Sequence, residues 1–202
     1  MPELLERDSS SAGNALPRLA AAEVKELVAG WRKNLAVLKI RGDATDERFR
    51  TAVTGELAVE VPTLPCTLSD NQAVRMLWVG PDDWFIIAAE RSADRLSASL
   101  RAALADQHFA VTDVSSGYTV LHLSGIPARD VLSQGCPLDL HPRVFGTGAC
   151  AGSHFFKASI VLWQTDDTPT YELLVRRSFM GYVWLMLEST TRETGLLEKH
   201  FS

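Results

Sequence analysis

Two stretches in which apolar and polar residues alternate dominate the pattern of this chain. Residues 35–42 (LAVLKIRG) and 119–125 (TVLHLSG) each predict a β-strand that ends at a glycine, and the two glycines lie 83 residues apart. A helix is predicted after each strand, from Asp43 onward with Phe49 and Val53 on its apolar face, and over residues 127–133 with Pro127 in its first turn.

Each half continues with a hairpin whose turn contains two adjacent aspartates. The strands are predicted over residues 76–79 and 84–87, and over residues 159–163 and 171–175. The turns contain Asp82-Asp83 and Asp166-Asp167, which lie 84 residues apart. Aspartates bond to nearby backbone amides and so favour turns. Because this offset nearly equals that of the glycines, we infer a duplication.

A second helix closes each repeat. Ser92 can cap a helix with an apolar face of Leu96, Leu100 and Leu104, and Ser178 can cap one that turns Phe179, Val183, Met186 and Leu187 inward. A further strand, over residues 108–114, leads from the first repeat into the second. The predicted fold class is α+β, with duplicated split β-α-β (ferredoxin-like) units.

The predicted domain organisation has three parts. Residues 1–30 form an N-terminal arm and a short helix over residues 19–29, closed by Gly30 in the position that favours a left-handed cap. Residues 31–115 form the first α+β repeat, and residues 116–202 form the second.

Composition excludes several classes of partner. Twenty basic against 25 acidic residues give a net charge of −5 over 202 residues, without the basic excess that nucleic acid or an anionic membrane requires. No apolar stretch approaches the roughly 20 residues that span a bilayer, and the acidic, polar N-terminus lacks the layout of a signal peptide. Three widely spaced cysteines are poor material for a disulfide scaffold, so we expect a cytoplasmic protein.

The candidate chemistry is sparse. Cys136, His141, Cys150 and His154 lie within 19 residues, but zinc ligands usually come in closer pairs, so we expect buried thiols and loop histidines. The glycines of residues 146–152 lead into a strand rather than a helix, which favours a flexible loop over a phosphate site.

No nucleophile is matched with a base. Asp113, Ser115 and Ser116 lie at a strand junction outside any nucleophile elbow. His122 lies on the strand face opposite Leu121 and Leu123, either solvated or at an interface, and we expect a hydrogen-bonded surface histidine. The paired aspartates should diverge on their turns, which makes them turn formers rather than an acid/base pair. We therefore assign no catalytic, cofactor-binding or metal residue.

The tryptophans leave two interpretations open. Trp78, Trp84 and Trp163 fall on the predicted hairpins, and Trp184 falls on the last helix. Such residues pack in cores, yet they are also enriched at subunit contacts.

One family shares the unusual landmarks of this chain. Matching segments lie throughout residues 35–188: Gly80-Pro-Asp-Asp-Trp84, Asp113-Val-Ser, Gly135-Cys-Pro-Leu-Asp-Leu-His-Pro142, Phe145-Gly and Ser178-Phe. With these the chain resembles the gamma subunits of heterotetrameric sarcosine oxidase, which share the fold of the first two domains of the glycine-cleavage aminomethyltransferase, a folate-binding fold.

The resemblance implies a non-catalytic subunit that supports assembly with alpha, beta and delta subunits. The complex would oxidise sarcosine to glycine, releasing hydrogen peroxide and, with tetrahydrofolate, methylenetetrahydrofolate. FAD, FMN, NAD, zinc and tetrahydrofolate are expected in the partner subunits, and none in this chain. The alternatives are a subunit of a related N-methyl amino acid dehydrogenase, a free-standing one-carbon transfer protein, and a folate-binding regulator without chemistry.

Overall fold

The first half of the chain supplies one five-stranded sheet, two helices and one strand of the second sheet. The computed structural model describes residues 27–71, 73–89, 92–191 and 196–198. The elements of this half are β1 (Leu27–Arg32), β2 (Leu35–Arg41), α1 (Glu47–Leu57), β3 (Leu68–Asp70), β4 (Val74–Gly80), β5 (Asp83–Ala89), α2 (Ala93–Ala103) and β6 (Ala110–Asp113). The predicted hairpin of β4 and β5 is confirmed, with its turn between Gly80 and Asp83.

The second half repeats this order. Its elements are β7 (Tyr118–Ser124), α3 (Ala128–Ser133), β8 (Cys150–Phe155), β9 (Ala158–Asp166), β10 (Thr170–Arg176), α4 (Met180–Thr190) and β11 (Leu196–Glu198). Among the described helices, none is long and apolar enough to cross a membrane.

The strand order of the two sheets confirms the duplicated α+β fold. The first sheet runs β3-β4-β5-β2-β6, and the second runs β8-β9-β10-β7-β1-β11. Apart from β1 and β11, each strand of the second sheet occupies the place of its counterpart in the first. The division of the sequence into residues 1–30, 31–115 and 116–202 stays a prediction.

The first described strand corrects the sequence analysis. Residues 27–29, predicted to end a helix, instead begin β1, while residues 19–26 of that helix lie outside the described residues. β1 pairs antiparallel with β7, with Gly30 opposite His122. A pairing partner about 90 residues away overrides the local helix signal, and β1 fills in the second sheet the place that β6 fills in the first.

Three apolar clusters show how the layers are stacked. One lies between the second sheet and the helices α3 and α4, and another lies between the first sheet and the helices α1 and α2. The third joins the facing sides of the two sheets through residues such as Val37, Phe85, Val120 and Leu174. The molecule therefore has the layer order helix, sheet, sheet, helix, which leaves both faces of each sheet covered.

Two equivalent glycines end β2 and β7 for different reasons. A Cβ atom at Gly42 would lie 2.2 Å from the ring of Phe49, so only glycine lets α1 pack this closely. Gly125 has a φ of 116°, a conformation that residues with a side chain rarely adopt.

The helix α4 differs in detail from its prediction. Val183 and Leu187 are buried as expected, but Phe179 is 38% exposed. Ser178 forms no cap, because the helix begins at Met180 after a short 3-10 turn. The sequence pattern failed here because this turn rotates Phe179 away from the apolar face of the helix.

Candidate functional site

A groove lies where the chain crosses between the two sheets. It has a volume of about 810 Å³. Its walls come from the connection between β1 and β2, the connection between β6 and β7, and the residues just before α4. They include Trp31, Tyr118 and Met180 as apolar residues. The groove therefore combines apolar walls with a rim of polar loops.

Three cationic side chains line this groove, and two of them are exposed. Lys33 and Arg177 are both exposed and line it. Within the described part of the chain, neither forms an ion pair with a carboxylate. Arg177 donates a long hydrogen bond of 3.4 Å to the carbonyl oxygen of Ser115. The groove presents positive charge in a protein whose net charge is negative.

The hydroxyl of Ser115 is committed to structure rather than to catalysis. It accepts a hydrogen bond of 2.9 Å from the backbone amide of Val37 and donates one to Oδ1 of Asp113. The same carboxylate oxygen accepts from the amide of Ser115 at 2.9 Å. An acceptor carboxylate beside a serine is not a triad without a base between them. This arrangement fixes the crossing from β6 to β7 against β2.

Beneath the groove, a row of residues crosses the inner face of the second sheet. Gly30, His122, Glu172, Trp163 and Cys150 are successive cross-strand neighbours. Because side chains alternate along a strand, all of them face the first sheet. Glu172 stands in the middle of the row and is only 2% exposed.

Two arginines neutralise this buried carboxylate from different sheets. Arg32, at the end of β1, pairs through Nε with Oε1 of Glu172. Arg75, from β4 of the first sheet, donates to Oε2 at 2.6 Å and also holds Asp70 at 3.0 Å. The indole Nε1 of Trp163 donates to Oε2 at 3.0 Å. Because Arg32 also lines the groove, the buried cluster adjoins it.

The surroundings keep Glu172 ionised. Burial alone would raise its pKa, but the nearby His122 and the charges of Arg32 and Arg75 outweigh burial and lower the pKa of Glu172 to about 2. His122 Nδ1 lies 3.6 Å from Oε1. A carboxylate with so low a pKa cannot act as a general base near neutral pH. We call these residues, Arg32, Asp70, Arg75, His122, Trp163 and Glu172, the inter-sheet cluster.

His122 corrects one prediction of the sequence analysis. It does lie on the strand face opposite Leu121 and Leu123, but it is 2% exposed rather than solvated. The interface that it occupies is the one between the two sheets. Alternation along a strand identified its face, but only the packing of a second sheet on that face buries it.

The four cysteines and histidines that were considered as metal ligands, and set aside, are not grouped together. Cys136 is buried with its sulfur 3.6 Å from Ser153 Oγ, and Cys150 lies between the sheets. His141 and His154 are exposed, the first in a loop and the second on β8. Across the residues that the structure describes, no three His, Cys, Asp or Glu side chains are grouped as metal ligands.

The glycine-rich segment over residues 146–152 runs directly into β8. Gly148 has a φ of 85°, and the described chain continues as a strand rather than as a helix. The segment therefore lacks the helix N-terminus on which the dinucleotide fingerprint depends.

The aspartate pairs diverge as predicted. Asp82 pairs with Arg41 at 2.6 Å, and its neighbour Asp83 pairs with Lys39 at 2.9 Å. In the second turn, Asp166 and Asp167 also accept from different partners, the amide of Thr168 at 3.0 Å and the hydroxyl of Thr147 at 2.8 Å. These are turn-forming residues.

The tryptophans divide between core and surface. Trp84 and Trp163 are fully buried, and Trp84 donates to the carbonyl of Pro62 at 2.8 Å. Trp184 is half-buried on α4 and packs on Trp31, with ring centroids 6.4 Å apart. Among the residues that the structure describes, the exposed large apolar ones are Leu64, Ile126, Val144, Phe179 and Leu185.

The centre of the inter-sheet cluster was not predicted from the sequence. Glu172, Arg75 and Arg32 were not singled out. The sequence did contain a signal for Glu172: in residues 171–175 (YELLV), a charged residue lies in a strand whose neighbours on both sides are apolar. Charged residues are almost never fully buried unless they are paired, so such a position suggests either a solvent face or a partner.

Comparison with known proteins places these features in context. The profile of the sarcosine oxidase, gamma subunit family matches residues 41–193. The sarcosine oxidase subunit gamma of Corynebacterium sp. (strain P-1) is 38% identical over 117 residues, which is 57% of this chain and 56% of that protein. The chain thus aligns with little more than half of this relative's length.

Two solved structures share the fold. A chain of heterotetrameric sarcosine oxidase from Corynebacterium sp. U-96, in complex with pyrrole 2-carboxylate, superimposes with a TM-score of 0.77 at 26% identity, covering 87% of this chain and 90% of that one. The glycine cleavage system aminomethyltransferase T from Bartonella henselae gives a TM-score of 0.63 at 10% identity over 89% of this chain and 48% of its own. The second likeness concerns the fold alone.

Proposed function

The chain belongs to the sarcosine oxidase gamma subunit family, and from that membership we propose that it is a non-catalytic subunit of a heterotetrameric sarcosine oxidase. The observation that carries the proposal is the match to a chain of such a complex over 87% of this chain and 90% of that one. We further propose that it contributes to assembly rather than to chemistry, and that it supplies no catalytic, cofactor-binding or metal-binding residue.

The use of the polar side chains supports this role. The carboxylate most protected from water, Glu172, is held by Arg32 and Arg75 in an ion cluster that joins the two sheets. Ser115 and Asp113 are occupied by one another and by the backbone of β2. Side chains that could otherwise take part in catalysis therefore hold the two repeats against each other, as expected for a subunit with a structural role.

The details of the complex are part of the proposal. The partners would be alpha, beta and delta subunits, and the complex would work in the cytoplasm. FAD, FMN, NAD, zinc and tetrahydrofolate would be bound by those partners, where sarcosine is oxidised to glycine with release of hydrogen peroxide and formation of methylenetetrahydrofolate. The repeats, over residues 31–115 and 116–202, would dock as two halves of a scaffold, with the arm over residues 1–30 preceding them.

The surface offers apolar side chains for such contacts. Leu64, Ile126 and Val144 are each at least 60% exposed in loops of the two repeats, and Leu185 is 58% exposed on α4. Such residues carry an energetic cost in water that a partner surface would remove. An isolated chain is therefore expected to be less soluble than the assembled one.

The test is purification of the tagged chain from its native cells at low salt, followed by the visible spectrum of the eluate. Larger chains that co-purify with flavin absorbance, together with peroxide release on addition of sarcosine, are the expected result. A lone, colourless, monodisperse monomer would contradict the proposal. Titration of that monomer with tetrahydrofolate would then test the folate-binding alternatives. Co-purified flavoprotein that oxidises another N-methyl amino acid instead would indicate the related dehydrogenase.

A further inference from the structure

A pair of cysteines faces each other across the junction of the two sheets. Thr67, just before β3, forms an antiparallel bridge with Ala149, just before β8. In this register Cys66 stands opposite Cys150, and the amide of Cys150 donates to the carbonyl of Cys66 at 2.9 Å. The sequence separates these residues by 84 positions and gave no reason to pair them.

The geometry of this register suits a disulfide. Directly opposed residues of an antiparallel pair that share a backbone hydrogen bond have Cα atoms about 5.5 Å apart. Disulfides join Cα atoms that are roughly 4.4 to 6.8 Å apart. The sulfur of Cys150 already lies against the neighbouring backbone, since it donates to the carbonyl oxygen of Thr67 at 3.0 Å. Cys66 lies in a turn with a φ of 61°, not in a regular strand.

The two thiols differ in their access to solvent. Cys66 is exposed, whereas Cys150 is fully buried among the apolar residues between the sheets. Burial raises the pKa of the Cys150 thiol to about 12. A small oxidant therefore reaches Cys66 first, and Cys150 is placed to react second.

We propose that Cys66 and Cys150 form a modification site, in which a peroxide oxidises Cys66 and Cys150 resolves the product to a disulfide between the two repeats. In the first step the Cys66 sulfur takes one oxygen from hydrogen peroxide, the O–O bond breaks and water leaves, which gives a sulfenic acid. In the second, the Cys150 sulfur attacks the Cys66 sulfur, the S–O bond breaks, and the hydroxide leaves as water with the Cys150 proton. Two thiols and one peroxide thus give one disulfide and two waters.

The bond would tie the connection that precedes β3 of the first sheet to β8, the edge strand of the second. The present link there is non-covalent and includes backbone hydrogen bonds, such as that from Leu68 to the Gly148 carbonyl at 3.1 Å. A covalent link should raise the midpoint of thermal unfolding, reversibly with a thiol reductant. Because any peroxide suffices, the inference stands whether or not the proposed function is correct.

The experiment treats the full chain with hydrogen peroxide and maps its peptides by mass spectrometry without reduction. The expected product is a peptide pair joined between Cys66 and Cys150, two hydrogen masses lighter than the separate peptides. With Cys150→Ser, a sulfenic acid trapped by dimedone should accumulate at Cys66. The matched control Cys136→Ser, which removes the other buried thiol, should leave the disulfide yield unchanged.

The pH dependence provides a second readout. With a pKa of about 12, only about one in 10⁴ Cys150 thiols is ionised at pH 8, so the resolving step should be slow and speed up about tenfold per pH unit.

The proposal is overturned if Cys66 passes directly to a sulfinic acid in the wild-type chain, if it pairs only with Cys66 of a second chain, or if Cys150→Ser leaves its oxidation products unchanged.

Discussion

Replacing Glu172 with glutamine should lower the free energy of unfolding by several kcal/mol. The substitution keeps the size of the side chain but removes its charge, and it leaves Arg32 and Arg75 facing each other in a nearly dry layer. Their side chains are only 10% and 9% exposed. Removing one partner of a buried ion cluster costs about 3–5 kcal/mol, because it leaves buried charge that is less well compensated.

The pKa of this carboxylate gives an independent magnitude. A fall from 4.5 to about 2 corresponds to roughly 3 kcal/mol of extra stability for the folded state with Glu172 ionised. Because the folded pKa lies below the ordinary value, this contribution is fully present above about pH 4.5. It is lost progressively as the pH falls toward 2. The glutamine variant lacks the contribution at every pH.

Urea unfolding followed by tryptophan fluorescence measures both effects. At pH 7 the urea concentration at the midpoint of unfolding should be lower for the Glu172→Gln variant than for the wild-type chain. The difference should equal the loss of stability, about 3–5 kcal/mol, divided by the m-value. Between pH 4.5 and 3 the wild-type chain should lose stability more steeply than the variant. The control is Glu60→Gln, which neutralises an exposed glutamate and should change stability by about 0.5 kcal/mol at most.

A change of less than about 1 kcal/mol at pH 7, with an unaltered pH dependence, would refute this reasoning. If the glutamine variant does not fold, the triple replacement of Arg32, Arg75 and Glu172 by methionine decides the matter. Replacing a whole buried ion cluster by apolar side chains is often neutral or stabilising. That variant should therefore fold, and a failure of the triple variant would show that the cluster is needed for more than charge compensation.

Three further predictions concern single contacts. Gly42→Ala should destabilise the chain by about 1–3 kcal/mol, because the added Cβ would meet the ring of Phe49. Gly55→Ala is the control: it lies in open space on α1, so it should be neutral or stabilise the chain by up to about 1 kcal/mol. Thermal unfolding of both variants compares them directly. Trp163→Phe removes a 3.0 Å donor from the buried carboxylate and should cost about 1–3 kcal/mol in urea, a loss that should shrink in the Glu172→Gln background. Asp46→Ala removes the side-chain cap of α1 and should cost about 0.5–2 kcal/mol, and equal hydrogen exchange in the first turn of both proteins would contradict this.

Much of the fold could be predicted because local patterns agree with tertiary packing. Period-two alternation predicted β2 and β7, the paired-aspartate turns predicted both hairpins, and the spacing of Phe49 and Val53 predicted the buried face of α1. The duplicated turns and glycines gave the repeat. In each case the residues that form the sequence pattern are also the residues that face the core. These elements could therefore be predicted without knowing any contact between residues far apart in sequence.

The features that were missed depend on contacts far apart in sequence. β1 looked like a helix end because Gly30 suits a left-handed cap, and only its pairing with β7 makes it a strand. Glu172 was not singled out from the sequence. Its burial follows from a second sheet that brings Arg75 onto it, 97 residues away in sequence. Alternation reports which face a residue occupies, but not what covers that face.

The central claim, that this chain is a non-catalytic subunit of a flavoenzyme complex, is tested most directly by the mass of the intact native assembly. Native mass spectrometry of the purified complex should show one copy of this chain together with three other chains of different mass. When this chain is removed from the assembly, the flavin should stay on those partners. A flavin that leaves with this chain, or a native mass equal to the chain alone, would contradict the account.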